Sequence, residues 1–279
     1  MKTKTQMKDY QLRGNPVIQA VPIVGNLIYD KLGQEVLALH NERFRGIKSI
    51  EDTNNYKEGQ PLAFSNVPRI LSYAQILRER FPNIHVLSPE EVIQYWNAIP
   101  ERDSTYADTN SIVIFPKEGP NEDLRQRVLG ITGKKSKLPL VVSGLGVERA
   151  DNNDGFTFIE TPYIETKEAP YLKKDGNVSF NGNELVSSEE GVGVWTPSSQ
   201  SGLGGFYRDR SVRLYALLDN LLYSNESGRV QVVQDPQGRA ENLEALVKLL
   251  ENQRDTQIAE INERAKKAEE YLRTGNFKQ

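Results

Sequence analysis

Polar residues that could bind an anion follow an apolar, β-branched segment at positions 111–115. Lys117 comes two residues after this segment, and Asn121 stands where a following helix would begin. The first backbone amides of a helix have no partner inside the helix, and the helix dipole adds partial positive charge there. The sequence therefore predicts a phosphate or carboxylate site near Lys117 and Asn121. The alternative is that the acidic pair after Asn121 only complements the dipole of this helix.

A glycine-containing turn follows the next apolar segment, at positions 138–142. Its residues are Ser143, Gly144, Leu145 and Gly146, and a Gly-x-Gly turn after a strand can hold phosphate through its backbone amides. This turn lacks the third glycine of a dinucleotide-binding loop, and no clear helix follows it. A tight exit from the strand into a β region is therefore the alternative interpretation.

Charged side chains follow this turn. Glu148 and Arg149, with Asp151 nearby, are of the types needed for a carboxylate pair with an arginine clamp, as hydrolysis or phosphoryl transfer requires. Solvated loop charges explain the same residues without any chemistry. The candidate ligand-binding residues are Lys117, Asn121, Ser143, Gly144, Gly146, Glu148 and Arg149.

A further segment interleaves aromatic and basic side chains. Tyr207, Arg208, Arg210, Arg213 and Tyr215 are of types that stack on bases and neutralise the backbone of single-stranded nucleic acid. The same alternation is typical of a strand with one face in water. The net charge of -3, from 35 basic and 38 acidic residues, does not favour nucleic acid as a partner but leaves it open.

Composition argues against several other kinds of site. The chain has no cysteine, which excludes disulfides and thiolate ligands and is typical of a soluble protein in a reducing, cytoplasmic compartment. Its two histidines would need carboxylate partners to bind a metal, so neither a metal site nor a cofactor is predicted. We expect His40 on a helix surface and His85 buried in an apolar strand. The apolar stretch at positions 17–29 is too short and too polar to span a membrane, and we interpret it as core.

The elements that would position these residues are predicted from apolar spacing. Apolar residues recur at every third or fourth position over residues 67–81, which predicts a helix capped by one of the two polar residues before it and ended by a proline. A strand is predicted at 84–87. Ser88, with proline after it and Glu91 three positions on, has the pattern of a capping box for the next helix.

Strands at 84–87, 111–115 and 138–142 thus alternate with helices, and each strand is apolar on both faces. Such a pattern is typical of a parallel sheet covered by helices. The expected fold is therefore α/β, with a parallel unit of three or more strands. Ligands bind beyond the carboxyl ends of the strands in such sheets, where Ser88 and Glu90 would join the other candidates.

The pattern changes in the second half of the chain, where turn residues separate short apolar runs. Asn181-Gly182 is a strong signal for a type I′ hairpin, so we expect antiparallel β-hairpins there. The predicted divisions are an N-terminal helical or extended segment (1–60), an α/β unit (61–147), a β-rich region (148–235) and a long C-terminal helix (236–279).

The C-terminal helix is predicted to be amphipathic. Neither proline nor glycine interrupts residues 239–274, and the apolar positions follow a heptad seam with one stutter near Arg254. The helix could lie on its own domain, or it could pair with a second copy or another protein. The sequence narrowly favours a binding or interaction protein that uses this helix. The alternative is a nucleotide- or phosphate-handling enzyme with its site at the strand ends.

Overall fold

The computed structural model of the protein describes residues 22–152, 154–210, 213–217 and 221–235, together with Lys266. The helices and strands between Ile23 and Gln234 lie within the compact unit that ends at Asp235. Apart from Lys266, the predicted C-terminal helix at 236–279 lies outside the described residues, so the helix and its heptad pairing stay predictions. No helix in the described part of the chain has the length and apolar run needed to cross a membrane.

Four α-helices lie in this part of the chain, and local signals explain where they begin. They are α1 (Lys31–Arg43), α2 (Val67–Arg80), α3 (Pro89–Gln94) and α4 (Glu122–Thr132). Asn66 caps α2 by accepting a hydrogen bond from the Arg69 amide. Ser88 and Glu91 form the predicted capping box at the start of α3. The predicted helix after Asn66 and the predicted capping box are therefore confirmed.

The described chain contains thirteen β-strands in three sheets, and most of its regular structure is β. The strands are β1 (Ile23–Asn26), β2 (Ile84–Val86), β3 (Ala107–Ile114), β4 (Leu140–Ser143), β5 (Gly146–Arg149), β6 (Phe156–Ile159), β7 (Glu165–Glu168), β8 (Gly176–Asn181), β9 (Glu184–Ser188), β10 (Val192–Trp195), β11 (Leu203–Asp209), β12 (Arg213–Leu217) and β13 (Gln231–Gln234). The eight-stranded sheet has the order β7-β4-β3-β11-β12-β10-β8-β9, and the smaller sheets are β1-β13-β2 and β5-β6.

The predicted parallel α/β unit is wrong. Strands β3 and β4 are neighbours but run antiparallel, and β2 belongs to a different sheet, where it pairs with β13. The large sheet is mixed. Its strands β10 and β12 pair in parallel, whereas every other pair of neighbouring strands in this sheet is antiparallel. The three segments predicted as neighbouring parallel strands therefore do not share one edge.

The apolar character of β3 and β4 has another cause. Val113 and Val141 pack in a core on one face of the sheet, together with residues of α3. Ile112 and Val142 pack in a second core on the other face, against α2 and α4. Any sheet strand that is covered on both faces becomes apolar on both faces, whatever the direction of its neighbours.

The second half of the chain has the predicted β-hairpin character. Strands β8 and β9 pair antiparallel, with Asn181 opposite Glu184. The two turn residues are therefore Gly182 and Asn183, one position later than the predicted Asn181-Gly182 turn. Gly182 has φ of +63°, which suits the first central position of a tight hairpin turn.

Both histidines lie in environments other than those expected. His40 is fully buried, and its ring bonds to Ser72 Oγ at 3.0 Å and to the Ile50 carbonyl at 2.9 Å. Burial lowers its pKa from 6.5 to about 3. His85 is only partly buried, because β2 is the edge strand of its sheet.

Candidate functional site

A polar cleft of about 690 Å³ lies where β3 and β4 meet the start of α3, and we call it the serine cleft. Its walls come from α2, α3, the segment leading into β7, and the tip of the β8–β9 hairpin. The residues that define it are Arg78, Ser88, Glu90, Glu91, Gln94, Asn110, Ser111, Val141, Ser143, Gly144, Tyr163, Glu165, Lys167, Phe180, Gly182 and Asn183.

Two serines lie opposite one another in this cleft, because the antiparallel register pairs Ser111 of β3 with Ser143 of β4. Ser111 Oγ donates to Asn110 Oδ1 at 2.8 Å, and Asn110 Nδ2 donates to the Val86 carbonyl at 3.1 Å. These bonds hold Ser111 and Asn110 in place. The hydroxyl of Ser143 has no protein partner among the described residues, so it remains able to bond a ligand.

Arg78, near the end of α2, is a cation with unused hydrogen-bonding capacity. No carboxylate of the described residues lies within 4.0 Å of its guanidinium. Its Nε is buried without a partner, and its Nη2 reaches the Leu145 carbonyl only at 3.5 Å. Burial also lowers the pKa of Arg78 below its ordinary value. A guanidinium in this state favours an anion that would supply the missing acceptors.

The carboxylates of the cleft already have cationic partners. Lys167 Nζ lies 3.7 Å from Glu90 Oε1 and 3.4 Å from Glu165 Oε2. His85 Nε2 lies 2.6 Å from Glu91 Oε1. The hydrogen bond with Glu91 raises the pKa of His85 against the effect of its burial. Arg78 is therefore the cation lining the cleft, within the described chain, that lacks a carboxylate partner.

Two exposed aromatic rings also line the serine cleft. Tyr163 is 58% exposed and Phe180 is 38% exposed, although both are large apolar side chains. Tyr163 comes from the segment before β7, and Phe180 from the end of β8. Exposed apolar surface beside convergent polar groups is typical of a ligand site.

The turn at Gly144 places Tyr163 in the cleft wall. Gly144 has φ of +76°, and a Cβ at this position would lie 2.0 Å from the Tyr163 carbonyl oxygen. Thr161 Oγ1 donates to the Gly144 carbonyl at 2.6 Å. The chain then enters β5 at Gly146, so this turn is a tight connection between two strands. This geometry agrees with the alternative interpretation of the Gly-x-Gly turn, namely a tight exit from the strand into a β region.

The other candidate residues lie elsewhere. Lys117 is exposed in the loop after β3, where it forms a β-bridge with Ser201. Asn121 precedes α4 and its side chain donates to the Leu203 carbonyl at 2.8 Å. The amide of Gly119 there donates to Glu122 at 3.1 Å, so an acidic side chain of α4 already occupies this helix start.

The charged pair after the Gly-x-Gly turn also lies outside the serine cleft. Glu148 and Arg149 are exposed in β5, and Arg149 Nη1 donates to the Arg45 carbonyl at 2.8 Å. Gly146 packs against Ile159 of β6. Of the seven candidates, the structure brings only Ser143 and Gly144 together, and it adds Ser88 and Glu90 from the first predicted strand end.

Sequence reasoning missed Arg78, Tyr163, Lys167 and Phe180 as lining residues. Arg78 carries no sequence signal, because it lies within the regular polar and apolar spacing of α2. Arg208 of the aromatic and basic segment is fully buried, and it donates to the carbonyls of Arg102 and Thr105. It is therefore not available to contact nucleic acid.

Neither a protein-family model nor a characterised protein or solved structure matches the chain. Within the described residues, no group of three or more histidine, aspartate and glutamate side chains could hold a metal ion.

Proposed function

We propose that the protein binds a small, ring-bearing metabolite with a carboxylate or phosphate group in the serine cleft. The observation that carries this proposal is the Arg78 guanidinium, which lines the cleft and has no carboxylate partner among the described residues. Arginine presents a planar fork of donors that matches carboxylate and phosphate oxygens.

The hydroxyl of Ser143 supports the same ligand class. It lies in the floor of the cleft on β4, and it can donate to an anionic oxygen. Because β3 and β4 pair as sheet strands, the backbone that carries this hydroxyl is held in a defined position. A charged ligand oxygen would therefore meet a guanidinium and a hydroxyl in one cleft.

The exposed rings of Tyr163 and Phe180 favour a ligand that also has a ring. Each ring offers apolar surface that a flat ligand group can cover. The volume of about 690 Å³ lies in the range that accommodates a metabolite-sized ligand. This proposal keeps the predicted phosphate-handling chemistry, but it replaces the parallel strand ends with an antiparallel sheet and a helix-borne arginine.

A thermal-shift screen of the full chain tests the proposal. The panel contains sugar phosphates, nucleoside monophosphates and aromatic carboxylates, each with its uncharged parent compound. We expect at least one anion at about 1 mM to raise Tm by about 3 °C or more, because a ligand that binds only the folded state stabilises it. Comparison of the Tm shifts caused by the phosphates with those caused by the carboxylates shows which anion the site prefers.

Arg78→Gln should abolish this shift, and Arg78→Lys should weaken it while keeping the charge. Arg80→Gln is the matched control, since Arg80 is exposed at the end of the same helix and does not line the cleft. The proposal is wrong if no anion shifts Tm, or if the Arg78→Gln protein responds as the native protein does.

A further inference from the structure

A second cleft, of about 510 Å³, lies beside the start of α2 and between β3, β11 and residues 221–225. We call it the tyrosine cleft, and its defining residues are Val67, Tyr106, Asp108, Gly205, Tyr207, Asp209, Arg210, Leu221, Tyr223 and Asn225. None of the described residues lines both this cleft and the serine cleft.

Three tyrosine rings with different orientations line this cleft. The Tyr106 and Tyr207 centroids are 6.3 Å apart with planes at 76°, and those of Tyr106 and Tyr223 are 6.1 Å apart with planes at 40°. A cation is attracted to an aromatic face within about 6 Å of the ring centroid. Because these centroids are so close together, one bound cation can lie within that distance of more than one ring.

The β-register places a carboxylate beside these rings. Asp108 of β3 lies directly opposite Tyr207 of β11, and Asp209 follows two residues later on β11. Asp108 is only 8% exposed, and Ser65 Oγ donates to its Oδ2 at 2.7 Å. A buried carboxylate is poorly screened by solvent, so it attracts a nearby cation strongly.

The cleft also contains a positive charge, but its repulsion of a bound cation is weak. Arg210 also lines it, but this side chain is exposed to water, where solvent and salt screen its charge. Tyr223 is 60% exposed, which leaves an aromatic surface open to a ligand. Among its described lining residues, the cleft therefore combines aromatic walls with the carboxylates of Asp108 and Asp209 and the exposed cation of Arg210.

We propose that the tyrosine cleft is an aromatic cage for an organic ammonium ligand, with Tyr106, Tyr207 and Tyr223 as walls and Asp108 as the counter-charge. Methylated ammonium groups suit such a site because they are bulky and weakly hydrated, so aromatic faces and a carboxylate replace water at low cost. This site is separate from the anion site of the serine cleft, and either proposal can fail alone.

Calorimetric titration of the full chain with choline and with 3,3-dimethyl-1-butanol tests the cage. The two compounds have similar shapes, but only choline carries a positive charge. We expect choline to bind about tenfold more tightly than the neutral compound, in the range of measured cation–π effects. Equal binding of both compounds would mean a merely apolar cleft, and absence of choline binding would equally overturn the proposal.

Variants then locate the bound cation. Tyr223→Ala should weaken choline binding about fivefold, whereas Tyr223→Phe should retain it because the ring remains. Asp108→Asn should also weaken choline binding, and its amide oxygen can still accept the Ser65 hydrogen bond. Asp123→Asn, which removes an exposed carboxylate from α4, is the charge-matched control. Equal losses for Asp108→Asn and Asp123→Asn would contradict the assigned role of Asp108.

Discussion

The guanidinium carbon of Arg78 lies 5.4 Å from the centroid of the Tyr163 ring. This contact joins the end of α2 to the segment before β7, two elements far apart in the sequence. A cation and an exposed ring are thereby presented together to the serine cleft. The pair forms the basis of the proposed binding of a ring-bearing anion.

Replacing Tyr163 by leucine should weaken binding of the anion found in the screen by about two- to tenfold, because the ring of the ligand would lose an aromatic contact of about 0.5–1.5 kcal/mol. Tyr163→Phe should bind normally, since it keeps the ring. Calorimetric titration of both variants checks this expectation. A similar loss in both variants would assign the effect to the hydroxyl group and not to the ring.

Gly144→Ala should destabilise the protein, because this position combines φ of +76° with close contact to the Tyr163 carbonyl. The left-handed conformation alone costs about 1–2 kcal/mol for an alanine. Gly130→Ala is the control, since Gly130 lies within α4 and has open space around it. That change should stabilise the protein by about 0.5–1 kcal/mol.

Urea denaturation of the two glycine variants measures both effects. The native protein provides the reference in each case. Equal stability of Gly144→Ala and the native protein would show that the turn tolerates a side chain. The close approach of the Tyr163 carbonyl to Gly144 would then not limit the residue type at this position.

The His85–Glu91 pair should stabilise the protein within a defined pH window. The hydrogen bond with Glu91 raises the pKa of His85 above 6.5, so the stability from His85 is complete below that pH and is lost as pH rises through the folded value. Burial works to raise the pKa of Glu91, but hydrogen bonds from His85 and Ser88 outweigh it and lower this pKa below 4.5. The stability that Glu91 contributes is therefore lost as the pH falls through its lowered, folded-state pKa.

The stabilising contributions of His85 and Glu91 are both complete between pH 4.5 and pH 6.5, the ordinary pKa values of the two groups. His85→Gln should thus cost most stability at about pH 5.5, on the order of 0.5–1 kcal/mol for a partly exposed pair, and less at about pH 8.5. Urea denaturation at both pH values checks this. A cost that does not fall at the higher pH would contradict the assigned pairing.

Asp108→Asn should become relatively more stabilising as pH rises. Burial raises the pKa of Asp108 from 3.8 to about 6, against the hydrogen bond from Ser65. As pH rises, the carboxyl of Asp108 loses its proton in the unfolded chain at a lower pH than in the folded protein. The free energy of unfolding therefore falls between about pH 3.8 and pH 6. Above about pH 6 the whole cost of burying the ionised carboxylate is present. At about 1.4 kcal/mol for each tenfold change in proton affinity, this penalty is about 3 kcal/mol.

The asparagine variant cannot ionise and should escape this penalty. The difference in unfolding free energy between the variant and the native protein should therefore grow by up to about 3 kcal/mol from about pH 3.5 to about pH 7.5. Urea denaturation across this range measures it. A constant difference would show that Asp108 titrates normally in the folded state.

The sequence by itself determined the local elements around the serine cleft. The helix α2 and its Asn66 cap, and the capping box of Ser88 and Glu91, depend on residues within three or four positions of one another. Turn residues likewise indicated the β8–β9 hairpin to within one position. Ser143 and Gly144 were placed correctly at the end of a strand.

Only the tertiary structure decided which strands are neighbours and which side chains meet. The apolar spacing of β3 and β4 reports burial on both faces, and it contains no information on whether the strands run parallel or antiparallel. The residues that contact His40, Arg78 and Asp108 also come from distant segments of the chain, so no local sequence pattern indicated these contacts. Pairing of remote strands and burial of polar groups depend on contacts that no short stretch of sequence contains, so both clefts are products of the fold.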